Sequence, residues 1–220
     1  MSSYKPKNLI IPVIIVAALV GVLALGAYFF TDGNEQTADI SDKLVYDAAL
    51  ADPINDEDWV KGPDKPRVTI VTFSDFQCPA CAYAHENIVE VLAEKHPDDV
   101  RVVFRHFPIS SHKQAQLAAE ATEAAGAQGK FWEMTSLVFQ NQSELDRDKL
   151  IKLATQLGLD VSRFTAELDS GMYQQAVMDD RDSGDRSGVS ATPTFYINGE
   201  KYEGKIKPED VISEVEKHLP

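Results

Sequence analysis

Val68-Thr69-Ile70-Val71-Thr72-Phe73-Ser74-Asp75-Phe76-Gln77-Cys78-Pro79-Ala80-Cys81 is the stretch that decides the fold. Its first six residues are β-branched or aromatic and predict a buried strand. A helix is predicted from about Cys78 to His96, with Ile88, Val91 and Leu92 at helical spacing and Pro97 just past its end. Cys78 and Cys81 are the only 2 cysteines among 220 residues, and both fall where that helix starts. Unpaired backbone N–H groups and the helix dipole stabilise a thiolate at such a position.

Working outward, Val100 to Phe107 predicts a second buried strand. Strand, helix and strand of this length form a βαβ unit with a right-handed crossover and a parallel pair. Residues 112–128, 130–140, 146–157, 161–168 and 173–182 predict helices, without any repeat period. The chain returns to strand at Thr194 to Ile197, turns at Asn198-Gly199 and pairs back through Lys201-Tyr202. A last helix runs from Pro208 to about Leu219. The fold class is α/β: a thioredoxin-like core with a helical insertion at about 110–187, between the βαβ unit and the C-terminal hairpin and helix. Upstream, Lys43 to Tyr46 predicts a short edge strand, and Ala51 to Pro66 an irregular lead-in.

The first thirty residues hold Lys5 and Lys7, no acid, and an apolar run from Leu9 to Phe30. As a helix that run reaches roughly 33 Å, enough to cross a bilayer core of about 30 Å. Ala24-Leu25-Gly26 offers a signal-peptidase-like site, but the run is too long for a signal core, and Tyr28-Phe29-Phe30 makes an interfacial belt. The expectation is an uncleaved single-pass anchor at 9–30, a cytoplasmic N-terminus at 1–8, a tether and lead-in at 31–60, and one folded domain at 61–220 outside the membrane. Disulfides persist in such a compartment. Beyond the anchor, 19 bases face all 35 acids, a net charge of −16 that excludes nucleic-acid binding and keeps the domain soluble.

A C-x-x-C pair serves zinc, a static disulfide or redox exchange. Zinc needs four ligands, no second pair exists, and His85 would bring the count to three at most. His85 reads as a partly exposed helix residue. A static disulfide closing so small a loop removes little unfolded-state entropy, so redox exchange is favoured. In that chemistry Cys78, at the exposed end of the helix, is the nucleophile, and Cys81, one turn in, resolves the mixed disulfide. A Cys78 titrating near 4 would stabilise the dithiol by about 4 kcal/mol at pH 7, or roughly 90 mV. The proline of Thr192-Pro193 opens a strand that the topology brings beside the helix start. A cis bond there would free the Thr192 backbone to bind an extended substrate chain next to Cys78. His106 reads as a hydrogen-bonded structural residue, and Phe131 and Trp132 as core or groove wall. Residues 179–185 fail the calcium-loop pattern and read as a solvated helix end.

The segments Phe73 to Cys81, Val103-Phe104-Arg105-His106-Phe107-Pro108, Gly129-Lys130-Phe131-Trp132 and Ala191-Thr192-Pro193-Thr194-Phe195 together resemble the DsbA-like branch of the thioredoxin superfamily, membrane-tethered bacterial type. The resemblance spans about residues 60–215. It implies a thiol-disulfide oxidoreductase that donates disulfides to thiols of exported proteins or peptides. It also implies reoxidation by a quinone-linked membrane oxidase of DsbB or VKOR type, with no cofactor beyond the Cys78–Cys81 disulfide. Pro79, Ala80 and Asp75 support the pair, Thr192 and Pro193 contact substrate, and the chain is expected to be a monomer. Thr72 stands where related enzymes carry a buried acid, so the proton acceptor for Cys81 is unassigned. Pro79-Ala80 lacks the histidine of strong oxidases, and the threonine before Pro193 is found in several isomerases. Isomerase, reductase and a non-catalytic peptide-binding module are the competing expectations.

Overall fold

The computed structural model describes residues 50–220. The expected cytoplasmic N-terminus, the anchor at 9–30 and the strand at 43–46 lie outside the described residues. Among the described residues no helix is long and apolar enough to cross a membrane.

Five strands form one mixed sheet: β1 (Trp59–Lys61), β2 (Val68–Ser74), β3 (Val100–His106), β4 (Thr194–Ile197) and β5 (Glu200–Lys201), in the order β1-β3-β2-β4-β5. The pair β2 and β3 is parallel, with Val71 opposite Val103 and Ser74 opposite His106, as the βαβ reading requires. The other pairings are antiparallel. All seven residues of β2 are buried, because helices cover both sheet faces. One face packs Val68, Ile70, Val100, Val102 and Phe195 against Ile88, Leu92, Val211 and Val215. The other packs Val71, Phe73, Val103, Phe107 and Tyr196.

The helix after β2 is segmented: α1 (Pro79–Ala84), a π-helical turn (His85–Val89) and α2 (Glu90–Lys95). The π turn adds a residue to one turn and rotates the stripe that follows. Ile88 and Leu92 stay in the core, Val89 joins them, and Val91 is exposed, contrary to the simple helical spacing. The same turn buries His85, expected to be partly exposed, to 5%.

The insertion holds α3 (Ala115–Gly126), α4 (Phe131–Gln140), α5 (Arg147–Gln156), α6 (Val161–Asp169) and α7 (Gln174–Arg186), and α8 (Pro208–Glu216) closes the chain. Asp146 and Asp160 cap α5 and α6, accepting from the N–H groups of Lys149 and Arg163. The expected helix at 173–182 continues to Arg186, so the acidic run 179–185 lies within α7, with Ser183 and Gly184 turned inward. A Cβ on Gly184 would lie 2.5 Å from the Phe107 ring, which explains why a residue without one occupies this contact. The Asn198-Gly199 turn has φ of 50° and 82°, the left-handed pair that a tight hairpin demands.

The lead-in corrects the sequence expectation most. Residues 51–66 contain the edge strand β1, whose Trp59 stacks on Phe131 at 4.4 Å. The buried Arg105 holds the segment: it donates to both Asp58 oxygens (2.7 and 2.8 Å) and to the carbonyls of Asp52 and Pro53.

Candidate active site

Both cysteines sit where β2 hands over to α1. Cys78 is the N-cap of α1 with extended backbone (φ −79°, ψ 118°), and Pro79 takes the first helical position, where its missing N–H costs nothing. Ala80 is exposed and leaves the helix start uncrowded. Cys78 is 8% exposed and Cys81 1%. The nucleophile expected at an exposed helix end is therefore largely covered, although it remains the more accessible of the two. Both are free thiols in this structure.

The thiols differ sharply in acidity. Cys78 is held down to about 5: the Cys81 thiol hydrogen-bonds to it, and Thr192 and the backbone N–H groups of Cys81 and Ala80 add to the effect. Burial, followed by the hydrogen bond to Cys78, pushes Cys81 far above the ordinary thiol range. Such a pair has one thiolate poised to attack and one thiol that stays protonated until the partner sulfur is engaged.

The loop from β4 closes over Cys78. The Thr192-Pro193 bond is cis, and the Cys78 thiol lies 3.4 Å from the Thr192 carbonyl oxygen as donor to acceptor. The Thr192 hydroxyl is buried beside the cysteines. Cys78, Cys81, Thr192 and Pro193, singled out from sequence, thus meet at one place.

Asp75 is fully buried behind the cysteines. One carboxylate oxygen accepts the N–H groups of Gln77 (2.6 Å) and Cys78 (3.0 Å), and the other accepts that of Ile109 (2.6 Å). Its own N–H donates to the Cys81 sulfur at 3.4 Å. Asp75 thus supports the pair by holding the turn that carries Cys78. Thr72 is buried in β2 opposite Phe104 and Phe195.

Three further contacts fasten this loop to the insertion, and no sequence signal singles them out. Gln142 donates through one side-chain nitrogen to the carbonyls of Phe76 and Cys78, both at 2.8 Å. Gln77 accepts the Gln114 N–H. His112 sets its Nδ1 2.9 Å from an Asp75 oxygen. These are polar residues in connecting loops, where periodicity carries no information.

The other flagged residues are structural. His106 Nε2 meets Glu123 at 2.9 Å, Glu123 also accepts from Trp59, and the His106 N–H donates to Asp180, whose carboxyl burial pushes up to about 7. Phe131 is core and Trp132 borders it, donating to the Val60 carbonyl. His85 Nε2 lies 2.9 Å from the Ser136 hydroxyl, and burial holds its ring down to about 4.

Comparison with known proteins agrees with this geometry. A family model described as thioredoxin matches residues 55–217. Crystal structures superimpose well: BdbD from Bacillus subtilis, in its oxidised form, has a TM-score of 0.69 at 25% identity, covering 79% of this chain and 98% of that one. The α-DsbA1 protein of Wolbachia pipientis has a TM-score of 0.66 at 20% identity, covering 76% and 93%. Among curated proteins, a Na(+)/H(+) antiporter NhaA 1 of Salinispora arenicola is 38% identical over 177 residues, 80% of this chain but 26% of the antiporter. The chain spans about a quarter of the length of that relative.

Proposed function

The chain belongs to the thioredoxin family, on its DsbA-like branch, and from that premise we propose that it is an extracytoplasmic dithiol oxidase acting through Cys78 and Cys81. The observation that carries the reading is the unequal pair, with Cys78 held down to about 5 while Cys81 is buried and raised. A thiolate titrating two tenfold steps below pH 7 favours the dithiol by up to about 60 mV. That moves the pair away from reductants of the thioredoxin kind, whose cysteine titrates near 7.

In the forward reaction a substrate thiolate attacks the Cys78 sulfur of the Cys78–Cys81 disulfide. The bond between the cysteines breaks, Cys81 leaves with the electron pair, and it takes up a proton. A second substrate thiolate then attacks the substrate sulfur of the mixed disulfide and releases Cys78 as a thiolate, the better leaving group of the two. Two electrons have passed to the protein, and a quinone-linked membrane oxidase of DsbB or VKOR type returns the pair to the disulfide. Thr192 and Pro193 border the attacked sulfur, so an extended substrate chain docks along the Thr192 backbone. The N-terminal apolar segment tethers the monomeric domain to the outer face of the cell membrane, where exported chains emerge. The antiport activity in the curated relative's name is not carried over, because the match covers only a quarter of that protein.

The full chain, oxidised and mixed with a reduced, unfolded disulfide protein, tests the reading. Thiols of the substrate disappear in step with appearance of dithiol enzyme, and Cys78→Ser slows this at least ~10³-fold. Equal rates for wild type and Cys78→Ser would overturn it.

A further inference from the structure

Asp75 is a buried carboxylate one turn of chain from the reactive sulfur, which is an unfavourable place for a negative charge. It accepts three backbone N–H groups, one of them from Cys78 itself, and its own N–H reaches the Cys81 sulfur. A fixed charge here opposes the Cys78 thiolate unless a cation cancels it. The side chain placed against the carboxylate is His112, from the loop between β3 and α3, with Nδ1 2.9 Å from the oxygen that also accepts the Cys78 N–H. That nitrogen is buried and makes no in-line hydrogen bond, while the ring as a whole is 29% exposed and open to proton exchange. The other polar and charged side chains near it have contacts of their own. Gln77 and Gln114 pair with each other, Lys113 is exposed, and Arg181 of α7 binds the Pro108 carbonyl.

We propose that His112 is a positioning residue for the cysteine pair: through Asp75 its imidazole sets the charge behind Cys78 and so the balance between dithiol and disulfide. An imidazolium cancels the Asp75 charge, favours the Cys78 thiolate and makes the pair more oxidising; a neutral imidazole leaves the charge uncompensated. Through the charge on this ring the oxidising strength depends on pH. By reciprocity, the ring binds its proton more tightly when Cys78 is a thiolate than when it is in the disulfide.

The proposal rests on thiol-disulfide exchange at Cys78, and the test separates the two. Equilibrium constants with glutathione are measured for the full chain and for His112→Gln, which keeps a hydrogen-bonding group without a titratable charge, at about pH 5.5 and about pH 8. The expected result is a threefold to tenfold weaker preference for the dithiol in His112→Gln at the lower pH, about 15 to 30 mV, with the two proteins converging at the higher pH. Nuclear magnetic resonance of the His112 ring in the unaltered protein reads the same coupling without a mutation, as a higher midpoint in the dithiol than in the disulfide form. Equal constants at both pH values, or one ring midpoint in both forms, would overturn the role of His112 while leaving the redox pair intact. A wild-type protein that never equilibrates with glutathione would instead overturn the redox reading on which the role depends.

Discussion

Asp58 and Asp75 are both carboxylates with buried side chains beside the sheet, one before the edge strand β1 and one after the central strand β2, and they are held in opposite ways. Asp58 faces the permanent cation of Arg105 through two in-line hydrogen bonds, with both side chains 2% exposed. Asp75 faces three backbone N–H groups and a histidine ring open to solvent. The first arrangement pins the lead-in to β3. The second lies behind the cysteines. A static ion pair and a responsive one thus divide structure from chemistry within a single sheet.

The largest expected effect breaks the static half. Arg105→Met leaves the Asp58 charge buried without its partner and costs about 3–5 kcal/mol in urea unfolding, while the Cys78 titration stays where it is. A shift of the Cys78 midpoint by a full unit would mean that the two clusters are coupled and the division is false.

His85 sharpens the contrast, being a buried histidine whose Nε2 lies 2.9 Å from the Ser136 hydroxyl and 3.5 Å from Glu90, so that burial outweighs the nearby charge. Its folded value of about 4 lies below the unfolded 6.5. The folded state therefore holds fewer protons than the unfolded state in that interval. Its contribution is fully present above about 6.5 and is lost as pH falls toward 4, in total about 3 kcal/mol. His85→Phe, packed on Phe139 as the imidazole is, should flatten the acid limb of a stability-against-pH curve. An unchanged limb would place the acid sensitivity elsewhere.

The smallest effect concerns the link between loop and insertion. Gln142→Ala frees the carbonyls of Phe76 and Cys78 and costs about 1–2 kcal/mol, with a several-fold slower attack on Cys78. Thermal unfolding and alkylation rates read the two separately. A stability loss with alkylation unchanged would confine Gln142 to the static side.

The comparison also explains what the sequence disclosed. Strand β2, the cysteine pair at the helix start and the Asn198-Gly199 hairpin are written in contiguous residues, so propensity and turn chemistry reveal them. The strand topology then places Thr192 and Pro193 beside the cysteines. Strand β1 is three residues long and has no period to read. It is fixed by Trp59 against Phe131 and by Gly126, where a Cβ would lie 2.3 Å from the Trp59 ring. His85 lies in a π turn, where the simple helical spacing no longer fixes the buried face. The contact of His112 with Asp75 joins two loops across the fold, and only the folded chain brings them together.

The central claim is that Cys78 and Cys81 form an asymmetric redox pair, and ultraviolet titration of the thiolate in the dithiol form of the full chain tests it most directly. The account predicts one thiolate appearing with a midpoint near 5 and no second one until strongly alkaline pH. Two thiols titrating together near the ordinary value of about 8.5 would contradict it.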